Sequence, residues 1–145
     1  MAKTEFERSH PETATVQLRR FTRGILKTQA DPRFAKAVVG FVDATYWIEN
    51  NLGKDVPLHF SRFFPMYKML NKQATLEETL LKLQKVAERY LNYVYVGNVR
   101  TKRGENTYCP KCKELLIERD GFRIIQNKIK KGRCECGEKI AGVWE

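Results

Sequence analysis

The chain has 145 residues, 42% apolar and 30% charged, with a formal net charge of +10. The apolar share fits a globular protein, and no apolar run approaches the ~20 residues that a membrane span needs. Residues 1–12 contain Glu5, Glu7 and Glu12 and lack the apolar core of a secretory signal, so no secretory or organellar leader is expected and the expected location is the cytosol. The positive excess is spread along the chain: +2 over residues 1–51, +3 over 52–99 and +5 over 100–145. Such a balance favours contact with polyanions through counterion release, or simply a solvated basic surface.

Residues 1–30 read as a basic arm. Thr13–Arg19 alternates in part and reads equally as a short strand or a poorly ordered arm; Arg19, Arg20 and Arg23 add charge, and Gly24 interrupts the pattern. Asp31-Pro32 is a helix start, because Asp caps free amides and Pro fits the first helical position. Phe34, Val38, Phe41, Thr45, Ile48 and Leu52 then recur at steps of three and four, and Gly53 stands where a helix ends. Val56–Phe60 predicts a short strand and Ser61–Tyr67 an aromatic-rich loop. Thr75-Leu-Glu-Glu78 predicts a capping box opening a helix whose face is Leu76, Leu80, Leu83, Ala87 and Tyr90. Tyr93–Val96 predicts a second strand. Strand, helix, strand is a βαβ unit, expected to be parallel with a right-handed connection. One such unit is the tail end of a barrel or wound sheet, not a whole one.

All four cysteines lie in the last 37 residues, as Cys109-Pro-Lys-Cys112 and Cys134-Glu-Cys136. Between the pairs, Leu115–Arg119 and Phe122–Gln126 predict a hairpin turning at Asp120-Gly121, where both positions accept positive φ. The hairpin would bring the pairs together. Four thiolates close a tetrahedron around Zn²⁺ and leave no open position, so the site is expected to be structural. Two disulfides, a redox pair, an iron–sulfur cluster, or three cysteines with a weak fourth ligand are the competing readings. The short C-x-C pair is the irregular element. Residues 100–145 have too little core to fold well alone, so metal would supply much of their stability.

Catalytic constellations are sparse. His10 lies in the polar arm, and His59 ends an apolar strand beside Ser61 and Arg62. Ends of parallel strands are ligand sites in α/β folds, although a lone His there is more often structural. No phosphate-cradling glycine loop and no Ser-His-Asp pattern is present. Phe60, Phe63, Phe64 and Tyr67 read as packing, with base stacking beside Arg62 and Lys68 as the lesser reading.

Asp55-Val-Pro-Leu-His-Phe-Ser-Arg-Phe-Phe-Pro-Met-Tyr-Lys68 is distinctive. With Tyr93–Val99, Gly104–Cys112, Glu114–Arg119 and Ile140–Trp144, it resembles the radical S-adenosylmethionine enzyme of the AmmeMemoRadiSam system, itself similar to pyruvate formate-lyase activating enzymes. The resemblance covers about residues 45–145. It implies the last strands of a partial (β/α) barrel over residues 31–99, a zinc ribbon over 100–145, and His59 and Arg62 facing cofactor or substrate. Those enzymes hold a [4Fe–4S] cluster on an N-terminal C-x3-C-x2-C motif. This chain has no cysteine before Cys109, so no such cluster is expected from it alone.

The leading expectation is therefore a radical-enzyme C-terminal piece that acts, if catalytic, by completing another chain's barrel. A protein partner or second copy would cover its open strand edge. The alternative is a basic zinc-ribbon module that binds RNA, the ribosome or another nucleic-acid assembly through Arg100, Lys102, Arg103, Lys128, Lys130, Lys131 and Arg133. A third reading is a structural remnant without activity.

Overall fold

The computed structural model describes residues 32–99, 101 and 103–144, with side chains from residue 36 onward. The basic arm over 1–30, Arg100 and Lys102 lie outside the described residues. The chain divides into two compact units between Trp47 and Ile48, inside the long helix α1 (Pro32–Leu52). Among the described residues, no helix is long and apolar enough to cross a membrane.

Helix α1 begins at Pro32, as the sequence predicts. It buries Val38 and Thr45 of the predicted face and adds Val42, while Phe41 and Ile48 are half-buried and Leu52 stays exposed. Thr45 is accommodated because its hydroxyl donates to the Phe41 carbonyl one turn back. Gly53 takes φ +95, and its amide donates to the Ile48 and Glu49 carbonyls, ending the helix.

The α/β segment is a parallel pair joined through a helix. Strand β1 (Leu58–Ser61) pairs with β2 (Val94–Gly97) in the register Leu58 with Val94 through Ser61 with Gly97. Helix α2 (Glu77–Ala87) lies between them in sequence. The expected capping box does not form. Helix α2 starts two residues after Thr75, with Leu76 as its uncapped N-terminal residue. The Thr75 backbone is engaged elsewhere: its amide donates to Phe63 and its carbonyl accepts from Arg62 Nε. Tertiary bonds thus outcompete a local cap.

Strand β2 separates two apolar clusters because alternate residues of a strand point to opposite faces. On one face Val96 packs with Leu80 and Val99, and Phe60 lies against them. On the other, Tyr93 and Tyr95 join the interior of the C-terminal sheet. Buried Gln84 donates from Nε2 to the Val94 carbonyl. Gln84→Leu is expected to cost about 1–3 kcal/mol by orphaning that carbonyl, measured as a lower urea midpoint at unchanged m value.

The C-terminal sheet is antiparallel, in the order β3 (Thr107–Tyr108), β4 (Leu115–Asp120), β5 (Arg123–Asn127). The hairpin turn is Gly121-Phe122, one residue beyond the predicted Asp120-Gly121, because Asp120 itself pairs with Arg123. Only Gly121 takes positive φ, at +60, which is the pattern of a type II′ turn. The register slips between Glu118 and Arg119, and there the Arg119 amide donates to Asn106 Oδ1. Mixed α/β structure with two small sheets is thus established. Among the described residues the parallel sheet has two strands and closes no barrel.

Candidate metal centre

The first cysteine pair sits in the turn between β3 and β4, and the second follows β5. Each turn is closed by the same two-bond pattern. The Cys109 amide donates to the Glu114 carbonyl, and the Lys113 amide donates back to the Cys109 carbonyl. The Cys134 amide donates to Glu138, and Gly137 donates back to Cys134. The second turn is one residue shorter in every bond, so the C-x-C spacing keeps the geometry of the C-x2-C turn in a tighter loop. Both turns end in the left-handed region, at Lys113 (φ 62) and Gly137 (φ 86).

The result is a quartet of converging thiols. Cys109 Sγ lies 3.6 Å from Cys136 Sγ, and Cys112 Sγ lies 3.6 Å from Cys134 Sγ. All four ligand atoms fall within 4.8 Å of one another. All four cysteines are free, and all four bring a sulfur to the same place. A tetrahedron with Zn–S of about 2.3 Å has sulfur–sulfur edges of about 3.8 Å. These spacings suit one tetrahedral ion. A four-iron cluster, with its metals spread among the thiolates, needs wider separation. Cys109 and Cys134 are buried, while Cys112 and Cys136 face solvent, so the site has an outward side by which an ion enters.

The electrostatics show what a bound cation would offset. Burial pushes the Cys109 thiol up, but backbone amides of Cys112 and Lys111 and the thiols of Cys112 and Cys136 outweigh it, lowering it to about 7. The Cys136 amide favours the Cys134 thiolate, yet burial and the three neighbouring thiols prevail and push Cys134 up to about 12. Cys112 is also raised, its amide bond from Glu114 outweighed by burial and by Cys136 and Cys109. Four adjacent thiols cannot all ionise without a compensating charge. Metal binding must then displace the Cys112 and Cys134 protons at neutral pH, and the Cys109 proton as well below about 7. Protons compete with the ion, so affinity falls as pH falls, by at least about 100-fold per unit for two displaced protons. Chelator competition between pH 8 and pH 6 measures this slope.

The surroundings fix the quartet. Cys109 and Cys134 pack with Tyr93, Leu116, Ile117 and Ile140, and Tyr95, Ile129 and Trp144 lie against them. Tyr93 Oη accepts from the Ala141 amide, and Tyr95 Oη bonds Thr107 Oγ1. Trp144 Nε1 donates to the Ile140 carbonyl. Its ring lies so close to Gly132 and Gly142 that a Cβ would stand 2.8 Å and 3.0 Å from ring carbons. Sequence reading missed this seat and the role of Tyr93 and Tyr95. The usable signals were two glycines flanking the second knuckle and aromatic residues two apart on a strand.

The other candidate residues do not converge. His59 is exposed and stacks on Tyr95 at 4.7 Å between ring centroids, on the wall of an open groove that Glu105, Glu118 and Asp120 also line. Arg62 turns away to Thr75 and lies 4.8 Å over the Phe64 ring. Phe64 and Tyr67, read as packing residues, are exposed. Arg103 pairs with Glu88 and covers Tyr108. Lys128 pairs with Glu114 and Lys130 with Glu135, while Arg133 donates to the Gly137 carbonyl. Lys131 sits in the same turn at φ 50. The basic residues from 128 to 133 thus share one loop, partly neutralised, while Arg103 is engaged by Glu88 and Tyr108.

No protein-family model and no solved structure matches the chain. It is similar to an uncharacterized protein of Methanocaldococcus jannaschii, with 48% identity over 99 residues. The match covers 66% of this chain and 30% of that protein, so the chain spans about 30% of the length of the curated relative it matches.

Proposed function

We propose that this chain is a C-terminal barrel piece of a radical S-adenosylmethionine enzyme, similar to that of the AmmeMemoRadiSam system, with a structural zinc ribbon. It has no radical chemistry of its own and acts with a partner chain. The observation that carries the reading is the packing of the thiol quartet on β2. The motif-bearing parallel pair and the cysteine ribbon share one interior through Tyr93 and Tyr95. Zinc, when bound by Cys109, Cys112, Cys134 and Cys136, supplies charge compensation and folding free energy. Tyr93 and Tyr95 then hold the ribbon against the strand pair, and His59 stands on the groove side of that joint.

Two measurements test this. Purified chain is expected to contain one zinc and, after anaerobic treatment with iron and sulfide, no [4Fe–4S] absorbance. Added to a cluster-loaded polypeptide carrying C-x3-C-x2-C from the same cell, it is expected to raise reductive cleavage of S-adenosylmethionine to 5′-deoxyadenosine. No change in that yield sinks the enzymatic reading.

A second reading is a nucleic-acid module, favoured by the shared loop of Lys128, Lys130, Lys131 and Arg133 beside the second knuckle. Its signature is an RNA affinity that falls roughly tenfold or more over a few-fold rise in salt. No RNA binding at low salt removes it.

A further inference from the structure

The two edges of the parallel pair differ. Along β2, the Val94 carbonyl accepts from Gln84 and the Val96 amide donates to Gly104, so that edge is engaged. Along β1, the Leu58 and Arg62 amides donate to Tyr93 and Gly97 of the β2 segment. Strand alternation turns the His59 and Ser61 backbone the other way, and among the described residues no strand pairs with that edge. Parallel sheets occur almost only as larger, covered sheets, and a two-stranded one is marginal by itself.

The loop that follows β1 is exposed yet tightly held. Its neck is closed by the bonds from the Thr75 amide to Phe63 and from Arg62 Nε to Thr75. Its tip is a 3-10 turn over Tyr67–Met69, entered through Tyr67 at φ 51. That positive φ costs about 1–2 kcal/mol for a residue with a side chain. On this ordered tip Met66, Tyr67 and Leu70 are 73–82% exposed, with Phe64, Met69 and Leu76 about half exposed. The segment from 62 to 76 carries Arg62, Lys68 and Lys72 and no acid. An apolar patch held in shape beside three cations, with the exposed Glu77 and Glu78 just beyond its end, is the profile of an interface.

We propose that the β1 edge and the loop over 62–76 form one docking surface for a different polypeptide. That partner adds a strand beside β1 and covers the loop with an apolar face rimmed by carboxylates. A second copy fits poorly. Pairing across two β1 edges by a twofold axis is antiparallel, which carries the two loops to opposite ends and leaves both uncovered. Loop against loop sets six loop cations together, and of the two acids beside each patch Glu78 is already paired with Lys82. The longer relative points the same way, since 70% of its length lies outside the match. The inference rests on the proposal that another chain completes this one, and it names the surface and the chemistry of that partner.

The probe is the M. jannaschii relative expressed without its 99 matched residues and kept free of iron. Amide exchange of the full zinc-loaded chain is followed alone and in a stoichiometric mixture. Alone, a monomer is expected, with His59 and Ser61 exchanging freely. In the mixture, those amides and the loop tip should slow at least about tenfold. The pair Met66→Asp and Leu70→Asp should abolish the effect, and Lys68→Glu with Lys72→Glu should weaken it, at unchanged zinc content. A chimera in which this chain's matched residues replace those of the relative should protect the same amides. Slow exchange in the chain alone, which places its own residues 1–31 on the edge, overturns the proposal. So does a homodimer lost in Met66→Asp, or free exchange in both mixture and chimera. A docked complex that never cleaves S-adenosylmethionine after iron loading sinks the radical reading and leaves the surface standing.

Discussion

Stripping the metal site, by chelation or by Cys109→Ser, is expected to melt the region from Thr107 to Trp144. Two of the six buried residues in its core cluster are themselves cysteines. Strand β5 is exposed along its whole length, so only β3 and β4 bring buried side chains to hold the sheet. A structural zinc contributes about 10–16 kcal/mol in small zinc-finger peptides, against about 1.5–3 kcal/mol for one buried aliphatic side chain. A zinc held by these four thiolates would therefore outweigh any single packing contact here. Leu116→Ala, at a residue 1% exposed, is the comparator and should cost about 2–5 kcal/mol. Amide exchange over β4, with and without chelator, separates the cases. Undiminished protection of Leu116 and Ile117 after complete metal removal would show that packing suffices without the ion.

Gly132→Ala is the second change with a large expected effect. Gly132 sits at φ +70, and the added methyl would lie 2.8 Å from Trp144 Cδ1. The ring cannot back away freely, because it lies over Gly142, where even a Cβ would stand only 3.0 Å from Cζ2, and Nε1 is bonded to Ile140. If Trp144 leaves its seat, its burial and its hydrogen bond are lost. Together with the left-handed φ, the sum is about 3–6 kcal/mol. That is a large part of the 5–15 kcal/mol typical of a whole domain. In a Trp47→Phe background, the variant should show red-shifted Trp144 emission, greater iodide quenching and a lower melting temperature. Unchanged emission would mean that the seat is not what positions the ring.

The candidate metal site was readable because its chemistry is written in identity and spacing. Four thiol side chains in two close pairs leave few alternatives, and a hairpin between them was visible from the apolar runs and Asp120-Gly121. The parallel pair was readable for a similar reason: a helix of three turns between two short apolar runs leaves an antiparallel hairpin no place. Finer features were not. The Thr75 capping box satisfied its motif and still failed, because the Thr75 backbone is held by Phe63 and Arg62 from across a loop. The turn moved by one residue because cross-strand pairing keeps Asp120 in the ladder.

The sequence by itself determined that Cys109, Cys112, Cys134 and Cys136 form two close pairs with a hairpin between them, which is what makes one shared site the leading reading. It also determined where α1 stops, because Gly53 relieves the left-handed φ that ends a helix. The tertiary structure alone decided which face of β2 meets the ribbon. Alternation says that Tyr93 and Tyr95 share a face, but only packing reveals that this face belongs to the cysteine core. It alone parted His59 from Arg62, neighbours in sequence, because strand alternation and the closing loop send them to different surfaces.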